Sequence, residues 1–140
     1  MTATGGTYTL VVAVEETTDI EVGALGIDRF ETGWYAYVGS AVGPGGFARV
    51  GRHRELASGE RDTRHWHIDY LLSDGNVNIE TVVTIEEVDA ECSVARALCG
   101  EPVPAFGCSD CACESHLYFS ASRSSLLAAV EDAHREATVR

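Results

Sequence analysis

Two arginines and a histidine are the residues whose types and spacing first indicate chemistry: Arg49, Arg52 and His53. In a helix, at about 100° per residue, these three side chains fall on one side together with Leu56. Cations grouped beside a turn between a strand and a helix suit a phosphate group. The spacing therefore indicates a phosphate site, although a solvated helix face would give the same pattern.

Aromatic residues alternate in the stretch that precedes this helix. Trp34 to Ala41 predicts a strand with Tyr35, Tyr37 and Gly39 on one face, and with Trp34, Ala36 and Val38 on the other. Gly39 would allow another group to approach the backbone where the strand ends. A glycine-rich turn then leads into the arginine-bearing helix, which we expect to begin near Gly46 and to end before Gly59.

A carboxylate in a later predicted helix forms the second candidate group. Glu91 falls at the same helical angle as Val94, Ala95 and Leu98, in a helix expected between Asp89 and Gly100. A carboxylate that faces inward must be paired, protonated or bound to a metal. Alternatively, Glu91 lies in the first helical turn, where the helix dipole stabilises an acid that solvent can still reach.

Four potential zinc ligands occur within nine residues: Cys108, Cys111, Cys113 and His116. Zinc favours such sulfur and nitrogen ligands. The alternatives are that these cysteines are small packed residues, or that they have a redox or catalytic role. The chain has five cysteines, an odd number, and no secretion signal, which argues against a disulfide framework.

Two histidines flank a tryptophan further along the chain, at His65, Trp66 and His67. The histidines could border the phosphate site while the indole ring stacks on an unpaired base. Alternatively, Asp69 orients His67 within a packed loop and Trp66 belongs to the core.

The remaining patterns predict a single domain that covers all 140 residues. Alternation and turn signals predict two strands that form a hairpin, a short helix, a later strand with four residues on one face, and a C-terminal strand and helix. The hairpin strands are predicted at 7–14 and 20–25, and the short helix at 65–72. The later strand is 78–87, with Ile79, Thr81, Val83 and Ile85 on one face. The C-terminal strand is 116–119, and the last helix begins at Ser122.

The composition is strongly acidic, with 22 acidic and 10 basic residues, and a net charge of −12. All ten bases are arginines. This charge argues against general affinity for nucleic acid, yet five of the arginines lie between residues 49 and 67. An acidic, lysine-free chain is typical of a very salty cytoplasm, a hypothesis that the salt dependence of folding would test. No apolar run has the length of a membrane span, so we expect a soluble cytoplasmic protein.

Two short motifs resemble the paired signature of the GIY-YIG nuclease superfamily: Gly6-Thr7-Tyr8 and Tyr37-Val38-Gly39. A longer ordered set is similar to the GIY-YIG-related family called domain of unknown function 123, whose members are sometimes fused to endonuclease III-type proteins. That set comprises Tyr37 to Ala41, Arg49, Arg52-His53, His65 to Tyr70, Phe106-Gly107, Ser109 to Cys111, Cys113, and Ser115 to Leu117.

The resemblance implies an α/β (α+β) fold with a small central three-stranded antiparallel sheet flanked by helices, and with an extra C-terminal strand and helix. It also implies hydrolysis of phosphodiester bonds in DNA that depends on Mg²⁺ or Mn²⁺. Structure-specific cleavage in repair or recombination, with a DNA-repair protein as partner and no membrane, would suit the family. The alternatives are an inactive nucleic-acid-binding module and a zinc-stabilised interaction domain.

The superfamily's roles can be carried onto matching positions. The resemblance makes Tyr8 the general base near the attacking water, Tyr37 the residue that orients that water, and Arg49 the stabiliser of the phosphate charge. His53 would assist a proton transfer or contact phosphate. The substrate-binding residues would be Arg52, His65 and His67.

The same resemblance assigns the metal to a glutamate on a helix. Glu91 begins a Glu-x-x-Val-Ala segment like that of the superfamily and would hold Mg²⁺. Glu86 and Glu87 remain alternative ligands, because only the predicted helix supports Glu91.

Overall fold

The computed structural model describes residues 5–23, 26–41, 46–60, 67–86, 94, 95, 97, 98, 101–103, 106 and 115–139. Within these residues lie seven strands and three helices of defined bounds. The strands are β1 (Gly6–Val14), β2 (Thr18–Glu21), β3 (Ile27–Phe30), β4 (Gly33–Ser40), β5 (Val77–Glu86), β6 (Glu101–Pro102) and β7 (Leu117–Ser120). The helices are α1 (Ala48–Ser58), α2 (His67–Leu72) and α3 (Arg123–Val139).

The main sheet has five strands in the order β5-β1-β4-β7-β6, and every neighbouring pair is antiparallel. A separate two-stranded sheet joins β2 to β3. The chain is therefore a mixed α+β fold with antiparallel sheets, and its main sheet has two strands more than the three we expected. The predicted hairpin between 7–14 and 20–25 is wrong, because β1 pairs with β4 and β5 whereas β2 pairs with β3.

The main sheet is covered by side-chain clusters on both faces. On β1, Tyr8, Leu10 and Val12 point into a cluster that includes Leu56 of α1 and residues of α2. Val11 points the other way, into a cluster with residues of α3. Such alternation follows from the two-residue period of a strand. It makes β1 a buried central strand between two layers.

A β-bulge interrupts the pairing of β1 with β5. Val11 lies opposite Thr81 whereas Val12 lies opposite Ile79, so Glu80 is the extra residue. Ile79 consequently packs against the Tyr8 side of the sheet, while Ile85 packs on the opposite side. The prediction is therefore wrong for Ile79, because the bulge reverses the alternation there, whereas Thr81, Val83 and Ile85 share one face as expected.

The arginine-bearing helix agrees with its predicted end. Gly59 follows α1 with a left-handed backbone (φ 85°), and its N–H bonds to the carbonyls of Glu55 and Leu56. Glycine favours this conformation because it has no Cβ. The short helix and the C-terminal helix are also present as α2 and α3. Of the helix expected between 89 and 100, the structure describes only 94, 95, 97 and 98, and the first three of these are helical.

No helix in the described part of the chain is long and apolar enough to cross a membrane.

Candidate active site

The site is built where β1 begins and β4 ends. Tyr8 lies opposite Gly39 in the antiparallel register, and the phenol ring crosses directly over that glycine. A Cβ atom at Gly39 would lie 2.4 Å from both Cζ and Oη of Tyr8, far inside van der Waals contact. Gly39 therefore makes the space that the phenol occupies. Tyr8 is 1% exposed.

Helix α1 supplies a histidine to this phenol. The Tyr8 Oη and His53 Nε2 atoms are 2.7 Å apart, a short hydrogen bond between two buried groups. If Tyr8 donates, the proton of the neutral imidazole is on Nδ1, for which the described residues provide no hydrogen-bond partner. Leu56, one turn later, is also buried and anchors the same side of α1 in the core.

The His53 ring is uncharged at neutral pH. Burial lowers the pKa of His53 from 6.5 to about 4, because a charged ring loses its hydration there. The Asp69 carboxylate acts in the opposite direction and raises this pKa, whereas the Arg52 and Arg49 cations lower it further. His53 is therefore able to accept a hydrogen bond from the phenol over the whole physiological pH range.

A chain of aromatic contacts extends from His53 to a second histidine. Tyr37 meets His53 edge to face, with ring centroids 6.3 Å apart, and meets Phe106 in the same manner at 6.2 Å. Phe106 in turn lies 5.6 Å from the ring of His67. Edge-to-face contacts at these distances are favourable. Burial lowers the pKa of His67 as well.

The two arginines of α1 have different surroundings. Arg49 is exposed, and its Nη1 atom donates to the carbonyl of Ser40 at the end of β4 at 2.6 Å. Arg52 is largely buried and donates two hydrogen bonds to the two carboxylate oxygens of Asp69, at 2.9 and 2.8 Å. Asp69 on α2 has no exposed surface. The alternative of a solvated helix face therefore holds for Arg49 but not for His53, which is buried, or for Arg52, which is largely buried with Asp69.

The sheet register decides which carboxylates can serve the site. Glu86 lies opposite Gly6, and Thr84 lies opposite Tyr8, so Glu86 is on the Tyr8 face at the same end of the sheet. Glu86 is exposed. The apolar partners predicted for Glu91 (Val94, Ala95 and Leu98) pack on the other face of the sheet. Within the described ranges, no group of three or more His, Cys, Asp or Glu side chains could hold a metal ion.

The structure brings most of the proposed catalytic residues together. Tyr8, Tyr37, Arg49, Arg52 and His53 surround one end of the β1–β4 pair, and His67 reaches it through Phe106. Several other candidates lie outside the described residues, so their roles stay predictions: His65, Trp66, Glu87, Glu91, Cys108, Cys111 and Cys113.

His116 is the one predicted zinc ligand that the described part of the chain includes. Its backbone N–H donates to the carbonyl of Phe106, and its own carbonyl accepts from the N–H of Val38, both at 2.9 Å. The side chain is buried, which lowers its pKa. His116 thus continues the hydrogen bonding between β4 and β7.

Two contacts of the site were missed in the sequence. The bond between Tyr8 and His53 joins residues 45 positions apart, and no spacing rule predicts it. The pairing of Asp69 with Arg52 left a weak signal, since Asp69 is an acid inside an apolar helical segment that follows a basic one. One of the two alternatives had that acid orient His67, and the structure shows that it pairs with Arg52.

Comparison with known proteins adds one match. A family model described as Domain of unknown function DUF123 matches residues 7–139 of the chain. No curated protein and no solved structure matches it.

Proposed function

We propose that this chain, which belongs to the family described as Domain of unknown function DUF123, is a divalent-metal-dependent endonuclease related to the GIY-YIG enzymes. One observation carries the proposal: the Tyr8 phenol is bonded to His53 at 2.7 Å, next to Tyr37 and within the electrostatic influence of two arginines. A phenol, a proton acceptor and cations are the groups that hydrolysis of a phosphodiester requires.

In this proposal His53 helps Tyr8 to act as a base. A phenol ordinarily has a pKa of about 10, whereas that of His53 is about 4, so the proton stays on the phenol in the free chain. At rest, His53 therefore only orients the phenolic O–H. A phosphate bound at Arg49 would offset a cation that lowers the His53 pKa, which makes the imidazole a better proton acceptor. The same anion disfavours a phenolate, so the proton transfer also requires a cation near Tyr8.

The reaction then follows from the positions of these groups. The Tyr8 phenolate takes a proton from a water molecule, and the resulting hydroxide attacks phosphorus. The bond from phosphorus to the leaving oxygen breaks, and His53 returns the proton it received to that oxygen through solvent. Arg49, which is exposed at the end of β4, is suited to hold the phosphate oxygens as their charge grows.

The exposed carboxylate on the Tyr8 face fits a hydrated hard cation, since Mg²⁺ usually keeps several waters and uses one or two carboxylates. Glu86 would hold the ion, and Glu91 is the alternative that the superfamily resemblance implies. When bound, Mg²⁺ or Mn²⁺ supplies Lewis-acid stabilisation of the phosphate.

The burial of Tyr8 and His53 sets a condition on this chemistry. Tyr8 is 1% exposed and His53 has no exposed surface, so the attacking water reaches the phenol only after substrate binding opens the site. The same burial favours a second candidate function, a nucleic-acid-binding module without turnover. In that case Tyr8 and His53 are structural, and exposed arginines such as Arg49 and Arg54 contact phosphates.

Cleavage of flapped or branched DNA with Mg²⁺ or Mn²⁺ at high salt tests the two candidates. We expect Tyr8→Phe to slow nicking at least about 100-fold, since general-base catalysis contributes about 10²- to 10⁴-fold. Tyr118→Phe is the matched control, because Tyr118 packs on the opposite face of the sheet. Equal cleavage by the wild type and Tyr8→Phe contradicts the proposed mechanism.

Cleavage separates the two candidates, and Arg49→Ala tests the phosphate contact that they share. For a module without turnover, we expect DNA to bind without being cut, and this substitution to weaken the binding. If no DNA binding responds to Arg49→Ala, both candidates are wrong, and the predicted zinc-stabilised interaction domain becomes the function to test.

A further inference from the structure

The ion pair between Arg52 and Asp69 has a geometry that stability alone does not require. The carboxylate is fully buried and accepts two parallel hydrogen bonds from a guanidinium that is 16% exposed. Burying two charges costs several kcal/mol per ion, and well-packed apolar residues often replace such a pair without loss of stability. A buried bidentate pair is therefore weak support for a purely structural role.

The ion pair between Arg52 and Asp69 lies close to the Tyr8 phenol. Arg52 is adjacent in the chain to His53, whose Nε2 atom is 2.7 Å from the Tyr8 oxygen. The charge of an ionised Tyr8 would act on Arg52. Because Asp69 occupies both ends of the guanidinium fork, the fixed Arg52 cation is held in the interior and is not free to follow a phosphate at the surface. Arg49 on the same helix is exposed and remains available for that task.

We propose that Asp69 is a positioning residue, which fixes the Arg52 guanidinium near Tyr8 so that this cation stabilises the phenolate when Tyr8 loses its proton. The inference rests on the proposed function for its catalytic meaning. In this arrangement the two arginines have different roles: Arg52 stabilises the phenolate of Tyr8, and Arg49 binds the phosphate of the substrate. It gives Arg52 a different role from the phosphate contact that the sequence resemblance implies.

The direction in which Asp69→Asn shifts the ionisation of Tyr8 distinguishes a positioning role of Asp69 from a purely electrostatic one. If Asp69 only contributes its negative charge, Asp69→Asn makes the phenol easier to ionise, because an anion has been removed. If Asp69 holds Arg52 in place, the same substitution releases the cation and makes the phenol harder to ionise. The other groups around the phenol (His53 and Arg49 from α1, and Tyr37 from β4) are unchanged in this comparison.

The experiment uses the full chain with a fluorinated tyrosine at position 8 alone, followed by ¹⁹F NMR. Fluorine withdraws electrons, so the phenol titrates at a lower pH at which the chain stays folded. We expect Asp69→Asn to raise the ionisation midpoint by about one pH unit, a tenfold fall in the ionisation constant. An unchanged or lowered midpoint overturns the inference. Asp19→Asn, which breaks the exposed pair with Arg29, is the control and should leave the midpoint unchanged.

A double variant keeps the inference testable if Asp69→Asn does not fold. Arg52→Met combined with Asp69→Leu removes both charges and leaves no buried charge unpaired. A raised midpoint in this variant supports the inference, and an unchanged one overturns it.

The readout needs no cleavage. If the midpoint rises but the wild type cuts no DNA, the role of Asp69 stands and the proposed function fails. If the wild type cuts DNA but the midpoint does not rise, the function stands and the inference fails.

Discussion

Among single residues, Gly39 contributes to the site by having no side chain. The Tyr8 ring occupies the space where a Cβ would lie, and from there its hydroxyl reaches His53. Glycine is thus required at this position of the Tyr37-Val38-Gly39 motif because the phenol needs the space, and not because the backbone needs glycine's conformational freedom. The tyrosine of the first motif and the glycine of the second form one contact pair across two strands.

Gly39→Ala should displace the phenol from His53. We expect a loss of about 1–3 kcal/mol in unfolding free energy, because inserting a methyl group forces side chains or backbone to shift, and a loss of cleavage comparable to that of Tyr8→Phe. Urea denaturation and the nicking assay measure the two effects. Gly51→Ala in α1 is the matched control, since a Cβ there meets nothing within 4 Å. It should stabilise the helix by about 0.5–1 kcal/mol. A fully active, equally stable Gly39→Ala chain contradicts this account.

At the scale of elements, β1 connects the two layers of the fold through adjacent residues. Tyr8 bonds to His53 on one face of the sheet, and Thr9 bonds to His134 of α3 on the other face at 2.7 Å. Thr9 and His134 are both buried. The same strand therefore carries the candidate chemistry on one side and a polar contact to the C-terminal helix on the other.

Thr9→Val should lower stability while leaving cleavage intact. The valine keeps the shape of threonine but removes the hydroxyl that bonds to His134, and losing one partner of a buried hydrogen bond costs about 1–3 kcal/mol. Urea denaturation gives the stability, and nicking per folded molecule gives the activity. The exposed Thr84→Val on β5 is the control and should change stability by less than about 0.5 kcal/mol. If Thr9→Val instead abolishes cleavage in a folded chain, the polar contact on the α3 face of the sheet affects the chemistry on the Tyr8 face.

Periodicity in the sequence predicted most faces and helix ends but not the strand partners. The alternation of 34–41 placed Tyr35 and Tyr37 on one face and Ala36 and Val38 on the other, which the two side-chain clusters confirm. The end of α1 before Gly59 is confirmed because a left-handed glycine stops a helix. The pairing of β1 with β4 and β5 was not predictable in this way, since alternation states which face a residue occupies and not which strand lies beside it.

The candidate site was accessible to sequence reasoning only in part. Motif resemblance grouped Tyr8, Tyr37 and Arg49, because those residues follow an ordered pattern. The contacts that give the group its chemistry are long-range and polar, namely Tyr8 with His53 and Arg52 with Asp69. Burial decides both of them, and burial of a polar residue cannot be deduced from its spacing.

For the whole molecule, buried histidines make stability depend on pH, and among the histidines that the structure describes His53 and His134 have the largest pKa shifts. Burial lowers the pKa of both His53 and His134 to about 4, from 6.5. Between these two pH values, the unfolded chain binds more protons at each histidine than the folded chain does. Stability is therefore lost as the pH falls through this window, and the full contribution is present above pH 6.5.

Each histidine should reduce the unfolding free energy by about 2 kcal/mol between pH 7.5 and pH 5. His53→Gln should remove its share of this pH dependence, and His134→Gln should remove a similar share. Urea denaturation of the three chains at the two pH values measures the difference. The window lies above the range in which ordinary carboxylates titrate, so their contribution is small. A His53→Gln chain with the same pH dependence as the wild type would show that folding does not lower the pKa of His53.

The neighbouring bonds of Tyr8 and Thr9 also select the alignment of β1 during folding. A slip of the strand by one residue moves every side chain to the opposite face. The phenol would then meet His134 in the layer of α3, and the small threonine would be left opposite His53 across a gap. Because two different hydroxyl groups bond to two histidines on opposite sides of β1, only one strand alignment satisfies both hydrogen bonds. Assembly of the candidate site therefore requires the correct strand pairing.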